Sequence, residues 1–338
     1  MITLGIETSC DETSASVIIN DNVVSNLISS QHFHKNYGGV VPELSSRAHL
    51  QSVLPLVRKS LSDSGISKND VELISATSGP GLIGALLVGL TFGKSLAYAL
   101  NKPFVPVNHI EGHIYSGFLM EDKPEFPYLC LVVSGGHTLL LIVESEMRIK
   151  LLGSTIDDAA GEAFDKVSKL IGLGYPGGPK IQQYAEKGNS QAIKFPVAKL
   201  NSEYDFSFSG LKTSVIRFVD KNYIERIIPE TDLPDIAASF QFAVVKALTN
   251  AVLAAVNNFN VKSISIVGGV SANSLLRNTV QNIADTRNIK AVFPSIEYCG
   301  DNAAMIAQRA IMLYRNGVRF DLSANAFPAL DYSIFSAV

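Results

Sequence analysis

Two histidines stand four residues apart in the segment VNHIEGHIYSG, which runs from Val107 to Gly117. On a helix this spacing places His109 and His113 on one face with their Cβ atoms about 6 Å apart, so both imidazoles can bind one cation. Glu111 lies between them, whereas the glutamate of the zinc-protease motif H-E-x-x-H follows the first histidine directly. The spacing therefore predicts either a metal site that needs a third ligand from elsewhere or a pair of surface histidines.

The preferred third ligand is Asp301, in the segment EYCGDNAAMIAQRA. It lies in a turn that also carries glycine and asparagine, just before a predicted helix. An N-cap residue of that helix would need no metal, so this second role stays open. Two histidines and one carboxylate form a facial set with open coordination positions, which suits Fe(II) or Zn(II).

Three further turns carry groups that could act on a phosphate. TSCDETS offers the carboxylates of Asp11 and Glu12, SGGHT (134–138) offers unobstructed backbone N–H groups, and GGVSAN (268–273) does the same at a predicted helix N-terminus. Each turn alone is explained by tight-turn chemistry. Together they predict the clamp of a nucleotide phosphate chain in a two-lobed protein.

Alternating strands and helices must position these groups. ITLGIET, SVIIN and VVSNLISS predict three antiparallel strands, and YLCLVVSGGHTLLLIVES predicts a second hairpin of the same form, which indicates an internal repeat. Helical segments follow at residues 50–61 and 156–171, and SISIVGGVSANSLLRNTV predicts a strand, a glycine turn and a helix. The order predicts two α/β lobes with a cleft between them, residues 1–108 and 109–338, with the final helices able to pack back on the first lobe.

Two glycine runs resemble phosphate-binding motifs and fail on detail. GPGLIG (79–84) fits G-x-G-x-x-G after a predicted strand, but no acid closes a second strand about 20 residues later. GLTFGKS (89–95) resembles a P-loop, but its first glycine is one residue too close and it lies within an apolar helix. Both runs are predicted to allow close helix packing.

The composition is that of a soluble globular protein. Of 338 residues, 47% are hydrophobic and 17% charged, and no apolar run reaches the length of about 20 residues that a membrane helix needs. The N-terminal residues lack the features of a secretory signal or an Arg-rich presequence, so we expect a cytoplasmic protein with no membrane contact. Cys10, Cys130 and Cys299 are too far apart for a disulfide framework or a zinc ribbon, which predicts reduced thiols.

Contact with nucleic acid would have to be local. The net charge of −3 creates no general attraction for a polyanion. Residues 166–217 are the candidate surface because basic side chains outnumber acidic ones there, although an ordinary solvated face explains them equally well. The basic residues are Lys166, Lys169, Lys180, Lys187, Lys194, Lys199, Lys212 and Arg217.

Ten motifs between Ile2 and Tyr314 together resemble the bacterial form of the tRNA adenosine threonylcarbamoyltransferase family. They are GIETSCDETS, YGGVVPELSSRAH, SGPGLIGALLVG, NHIEGH, VSGGHT, DDAAGEAFDK, YPGGP, DFSFSGLKT, GGVSAN and DNAAMIA. The resemblance implies the fold of actin, hexokinase and the heat-shock ATPases: two duplicated ribonuclease H-like α/β lobes with a nucleotide cleft. It also implies transfer of a threonylcarbamoyl group from threonylcarbamoyl-AMP to the exocyclic amine of adenosine 37, in tRNAs reading codons that begin with adenine, with release of AMP.

The resemblance also implies roles for individual residues. One divalent metal per subunit, with Fe(II) favoured over Zn(II), falls on His109, His113 and Asp301, and either Asp11 or Glu12 serves as the base. The nucleotide contacts fall on Val132, Val133, Ser134, Gly135, Gly136, Asp165, Gly178 and Asn273. Two positions depart from the pattern of some relatives. Val132 stands where archaeal and eukaryotic relatives have a tyrosine, and Gln182 where some relatives have an acid.

The family is implied to act with partners. A TsaB-like protein would pair with the first lobe, and a TsaE-like ATPase would assist turnover. The apolar segment ALLVGLTFGKSLAYAL (85–100) is either the face of a homodimer or heterodimer or a core helix. Three other functions remain as alternatives: a metalloprotease, a small-molecule kinase and a nucleotide-binding scaffold without catalysis.

Overall fold

The computed structural model describes residues 1–337, with side chains at all of these positions except 35, 36, 336 and 337. The strands are β1 (Ile2–Glu7), β2 (Glu12–Ile19), β3 (Asn22–Ser30), β4 (Leu73–Gly79), β5 (Phe104–Asn108), β6 (Tyr128–Val133), β7 (Thr138–Ser145), β8 (Arg148–Ser154), β9 (Ser263–Val267), β10 (Lys290–Val292) and β11 (Ser336–Ala337). The α-helices are α1 (Pro42–Asp63), α2 (Ile83–Leu100), α3 (His109–Tyr115), α4 (Ala160–Leu170), α5 (Gly177–Ala185), α6 (Ser209–Asn222), α7 (Leu233–Asn258), α8 (Ser274–Arg287), α9 (Ile296–Cys299) and α10 (Ala303–Arg315).

The chain folds as two compact units. Unit 1 comprises residues 1–123 and 294–334, and unit 2 comprises residues 124–293 with the chain from Phe335 onward. The boundary predicted after residue 108 is wrong. α3, which carries the two histidines, belongs to unit 1 because it packs against β5 and α10 of that unit. The sequence pattern could not reveal this, because a short helix directly after a strand looks the same on either side of a boundary.

Unit 1 is built on a mixed sheet of order β3-β2-β1-β4-β5. β1, β2 and β3 pair antiparallel, whereas β4 and β5 extend the sheet in parallel with β1. Leu4, Ile6 and Ala76 from the sheet pack with Val53 and Val57 of α1 in one buried cluster. α10 packs against β1 and β2, so the last long helix of the chain returns to the first sheet.

Unit 2 repeats this plan. Its sheet has the order β10-β9-β6-β7-β8-β11, in which β6, β7 and β8 pair antiparallel and β9 and β10 extend the sheet in parallel with β6. The internal repeat predicted from the two hairpins is therefore confirmed. In each unit the first strand of the hairpin also pairs in parallel with the fourth strand of the sheet. The turns that follow these two strands therefore lie at the same end of the sheet.

The glycine runs serve packing, as predicted. A Cβ atom at Gly89 would lie 2.3 Å from Oγ1 of Thr8, and one at Gly93 would lie 3.0 Å from the ring of Phe104. Both glycines therefore let α2 approach the sheet of unit 1 closely. A Cβ atom at Gly79 would lie 2.1 Å from the carbonyl oxygen of Phe327, and one at Gly81 would lie 2.5 Å from the carbonyl oxygen of Ser9. These glycines accommodate other parts of the chain.

Two helices are long and apolar enough to cross a membrane when length and hydropathy alone are considered. They are α2 and α7. Polar residues interrupt the apolar sequence of both helices, so neither contains an uninterrupted apolar run of about 20 residues. α7 is mostly buried in the core of unit 2, as core helices of that composition are. α2 buries Leu86 and Leu90 and exposes Ile83 and Leu87.

Candidate functional site

α3 presents the two histidines because its start is fixed. The side chain of Asn108 accepts hydrogen bonds from the backbone N–H groups of Ile110 (2.9 Å) and Glu111 (3.2 Å), so the helix begins at His109. His113 follows one turn later on the same face. The two imidazole rings are buried and meet edge to face, with centroids 4.7 Å apart. The alternative of two surface histidines is thereby excluded.

Asp301 lies beside both rings. Its Oδ1 atom is 3.1 Å from Nε2 of His113 and 3.5 Å from Nε2 of His109. The N-cap of α10 is the next residue, Asn302, whose side chain accepts from the N–H of Met305 at 3.1 Å. Asp301 is therefore not the N-cap, and its carboxylate is directed at the histidines.

The three side chains fit a divalent cation. One ligand atom from each lies within 4.8 Å of the other two, and two imidazoles with one carboxylate are donors that Fe(II) and Zn(II) accept. The surroundings also favour a cation, because the carboxylate of Glu7 lies against His109 and adds negative charge. The set leaves coordination positions open for a substrate oxygen.

The protonation of the histidines reflects this charge. Burial lowers the pKa of His109, but the carboxylates of Asp301 and Glu7 outweigh burial and raise it to about 9. Burial lowers the pKa of His113, and its contact with Asp301 only partly offsets this. A cation that binds here must displace the proton from His109, because only the neutral ring is a ligand.

The turn that carries Asp11 and Glu12 belongs to the same unit and lies near the metal ligands. Burial, together with the charges of Asp301 and Asp11, raises the pKa of Glu12 well above its usual range. Burial and the same acids raise the pKa of the Cys10 thiol, so this cysteine stays protonated and is not a nucleophile. Asp11 and Glu12 remain the candidate bases, and Glu12 can accept a proton only in its ionised form, which its raised pKa disfavours in the metal-free protein.

A buried polar network stabilises the turn that carries Asp11 and Glu12. Ser45 and His49 of α1 both donate to the carbonyl of Cys10, His49 through Nε2 at 3.0 Å. The other ring nitrogen of His49 bonds Thr13 Oγ1 at 2.8 Å, and the N–H of Gln31 donates to the carbonyl of Asp11 at 3.0 Å. Burial lowers the pKa of His49, which keeps the ring neutral. The network connects α1 to the backbone on either side of the acids.

Glu111 does not face the metal ligands. One oxygen of its carboxylate, Oε2, forms an ion pair with Arg309 of α10 and accepts from Nη2 at 2.6 Å and from Nε at 2.7 Å. The guanidinium lies over the ring of Tyr115. The glutamate therefore fastens α3 to α10. A glutamate engaged in this way is not the general base that a metalloprotease needs.

The glycine turns of unit 2 converge at the end of β6. The N–H of Gly161 in α4 donates to the carbonyl of Ser134 at 3.2 Å. A Cβ atom at Gly268 would lie 2.5 Å from the carbonyl oxygen of Val133. Gly135 and Gly136 have open space where a side chain would be. The turn after β6 therefore contacts both the start of α4 and the turn after β9, and Gly135 and Gly136 leave open space in it. Val132 and Val133, by contrast, are buried in β6.

The other predicted nucleotide residues also lie in unit 2, and two of them have structural partners. Asp165 accepts from the N–H of Gly177 at 2.6 Å, at the start of α5. Asn273 caps α8 by accepting from Leu276 N at 3.0 Å, and it donates to Gln241 at 2.7 Å. Gly178 has open space beside it. Gln182, which stands where some relatives have an acid, also has a partner: its side-chain amide oxygen accepts a hydrogen bond from the N–H of Ser274 at 2.9 Å.

The basic stretch of unit 2 is only partly available for an anion. Lys166 and Lys212 both pair with Asp158, at 3.0 Å and 2.7 Å. Five exposed lysines, for which the described structure gives no ion pair, lie between these two in the sequence. They are Lys169, Lys180, Lys187, Lys194 and Lys199.

The sequence pattern did not single out the residues behind His109. Nδ1 of His109 lies 3.2 Å from a carboxylate oxygen of Glu7 and 3.2 Å from Oγ of Ser9. Glu7 is the last residue of β1 and is fully buried. A carboxylate that ends a buried strand is a signal that could have identified it.

Comparison with known proteins adds the family. The family model for tRNA N6-adenosine threonylcarbamoyltransferase, TsaD, matches residues 22–308. The chain belongs to this family. The TsaD relative from Symbiobacterium thermophilum is 47% identical over 335 residues, 98% of this chain and 97% of the relative. The relative from Prosthecochloris aestuarii is 49% identical over 330 residues, 93% and 94% of the two chains.

Solved structures of distant sequence share the fold. HypF from T. kodakarensis aligns with a TM-score of 0.62 at 16% identity, over 94% of this chain and 48% of that one. Component A of the (R)-2-hydroxyglutaryl-CoA dehydratase of Acidaminococcus fermentans aligns with a TM-score of 0.55 at 13% identity, over 94% and 98%. The duplicated α/β fold that the resemblance implied is confirmed.

Proposed function

We propose that this chain transfers a threonylcarbamoyl group from threonylcarbamoyl-AMP to the exocyclic amine of adenosine 37, in tRNAs reading codons that begin with adenine. AMP is the leaving group. Family membership supports the transferase class and the tRNA substrate. The observation that carries the proposal for the site is the convergence of His109, His113 and Asp301 in unit 1.

These three residues would hold one divalent cation, Fe(II) or Zn(II). When bound, the cation supplies a Lewis acid that orients the acyl-adenylate and stabilises negative charge on it. Asp301 has a second effect, because its charge helps to raise the pKa of Glu12. The metal ligands and the candidate base are thus electrostatically linked.

The chain's own groups complete the reaction. As the amine nitrogen attacks the acyl carbon, it loses a proton, which Asp11, or Glu12 in its ionised form, accepts. The bond from the acyl carbon to the phosphate oxygen breaks, and the electron pair leaves with AMP. The backbone N–H groups of Gly135 and Gly136, which have open space beside them, are suited to stabilise the phosphate of the departing nucleotide.

A second polypeptide is part of the proposal. α1 and α2 pack together and expose four large apolar side chains, which form what we call the apolar face. They are Leu50, Leu54, Ile83 and Leu87. A TsaB-like protein, or a second copy of this chain, would cover this face. A TsaE-like ATPase would assist turnover, and the complex would act in the cytoplasm.

The experiment is a reconstituted transfer reaction. The purified chain is mixed with TsaB-like and TsaE-like partners, unmodified tRNA and threonylcarbamoyl-AMP, and the tRNA nucleosides are analysed by mass spectrometry. We expect threonylcarbamoyladenosine in the complete mixture and a loss of at least about 100-fold for His113→Ala, because one of three metal ligands is removed. Absence of the product from the complete mixture would refute the proposal.

The same preparation tests the alternatives. Cleavage of casein that His109→Ala abolishes would favour a metalloprotease. Phosphorylation of a sugar with ATP would favour a small-molecule kinase. Normal tRNA modification by Asp11→Ala and Glu12→Ala variants, tested singly and together, would favour a nucleotide-binding scaffold.

A further inference from the structure

Glu7 is a buried carboxylate with an unusual set of partners. Its side chain is fully buried at the end of β1. It accepts hydrogen bonds from the N–H of Ser9 and the hydroxyl of Thr77, and Nδ1 of His109 lies 3.2 Å from its second oxygen. These three polar contacts come from the turn after β1, from β4 and from α3 of the same unit.

Charge makes the contact with His109 the decisive one. Removing a carboxylate from water is costly unless it is paired and hydrogen-bonded. Among the side chains that the structure describes, His109 is the basic one that pairs with Glu7. A carboxylate only accepts hydrogen bonds, so Nδ1 of His109 carries a proton in this contact. When a cation displaces the other proton of the ring, Nε2 is the nitrogen that is left free to bind it. Nε2 is the atom that faces Asp301.

We propose that Glu7 is a positioning residue for the metal site. It fixes the tautomer and the ring orientation of His109, so that the lone pair of Nε2 points at the cation. It also makes Nε2 a stronger electron-pair donor to the metal. Ser9 supports the same arrangement, since its hydroxyl lies 3.2 Å from Nδ1. This inference rests on the metal of the proposed function.

The two histidines differ in this respect. Nδ1 of His113 is buried and has no hydrogen-bond partner in the described part of the chain. His113 is therefore held by helix packing and by its contact with Asp301, whereas His109 is also held through its second nitrogen. In the described structure, one of the two histidine ligands, His109, contacts a carboxylate through its second ring nitrogen. Removing the charge of Glu7 is therefore expected to weaken metal binding without abolishing it.

The test is the metal affinity of Glu7→Gln, measured by competition with a chromogenic chelator using Zn(II) and, separately, Co(II). Glutamine keeps the shape and one acceptor oxygen but removes the charge. We expect a dissociation constant about 10- to 100-fold larger than that of the wild type, together with a changed Co(II) absorption spectrum. Glu72→Gln is the matched control. Its carboxylate bonds the N–H of Ile2 at the other end of β1 and is exposed, so the affinity should not change.

Ser9→Ala provides an independent test if Glu7→Gln does not fold. This variant leaves the buried charge in place and removes one of the two contacts of Nδ1, so a smaller loss of affinity is expected. Wild-type affinity in a folded Glu7→Gln or Ser9→Ala protein would overturn the inference while leaving the proposed function intact. Failure of the wild-type protein to bind either metal would instead contradict the metal site itself.

Discussion

Asp301 is available as a ligand because the neighbouring residue performs the capping role. Asn302 satisfies the N-terminal N–H of α10, and this leaves the carboxylate of Asp301 at 3.1 Å from His113. The sequence predicted the ligand set from the i, i+4 histidines and an acid in a glycine turn. It could not predict Glu7, because nothing in the local pattern indicates which strand end lies behind a helix that begins about 100 residues later.

The raised pKa of Glu12 predicts a pH dependence of stability in the metal-free protein. Its carboxyl binds a proton more tightly in the folded state than in the unfolded state, so its contribution is complete below the unfolded pKa and is lost as the pH rises through the folded pKa. We expect the free energy of unfolding to fall between about pH 5 and pH 9. Glu12→Gln should flatten this fall.

Chemical denaturation at a series of pH values measures the effect. Glu43→Gln is the control, because Glu43 is an exposed acid of the same unit and its replacement should leave the pH profile unchanged. Identical profiles for the wild type and Glu12→Gln would contradict the assignment of a buried, protonated carboxyl at this position.

At the scale of elements, the hairpins were predictable and their supports were not. Alternation and turn residues identified β1, β2, β6 and β7, because these signals are local. α3 is placed in unit 1 by its packing against β5 and α10, and one of its contacts with α10 is the ion pair between Glu111 and Arg309, which are 198 positions apart. Contacts at such separations leave no periodic trace, and this is why the predicted domain boundary was wrong.

His49 is predicted to stabilise the turn that carries the two acids. Replacing it by alanine leaves the hydroxyl of Thr13 unpaired in the interior and opens a cavity beside the carbonyl of Cys10. We expect His49→Ala to lower the free energy of unfolding by about 2–4 kcal/mol, measured by urea denaturation. His32→Ala, at an exposed histidine of the same unit, should change it by less than about 0.5 kcal/mol. Equal effects would contradict the network.

The apolar face on α1 and α2 is predicted to be a protein contact. α2 has a buried side and an exposed side, since Leu86 is fully buried and Leu87 is about half exposed. An arginine at Leu50 or Leu87 would place a charge in the interface. We expect each to weaken pairing with a TsaB-like protein, or self-association, by about 30-fold or more. Light scattering and titration calorimetry measure this.

A matched substitution outside the apolar face serves as the control. Leu253 is a partly exposed leucine of α7 in unit 2, and Leu253→Arg should leave pairing unchanged. If the arginine variants at Leu50 and Leu87 pair as well as the wild type does, the contact surface lies elsewhere.

At the scale of the whole molecule, binding of tRNA has to arise from a local surface. The net charge is −3, and the four exposed lysines of residues 180–199 are the candidates. Replacing Lys187 and Lys194 together by glutamate should weaken tRNA binding and reduce the slope of log affinity against log salt by about one unit or more. Lys68→Glu in unit 1 is the control. An unchanged slope would remove this stretch from the interface.

The central claim is that one cation is bound by two imidazoles and the carboxylate of Asp301. The most direct measurement is an anomalous difference map from a crystal grown with Fe(II) or Zn(II), collected on either side of the metal's absorption edge. The claim predicts a single strong peak bonded to Nε2 of His109, Nε2 of His113 and an oxygen of Asp301. A metal-loaded crystal with no peak among these three atoms would contradict it.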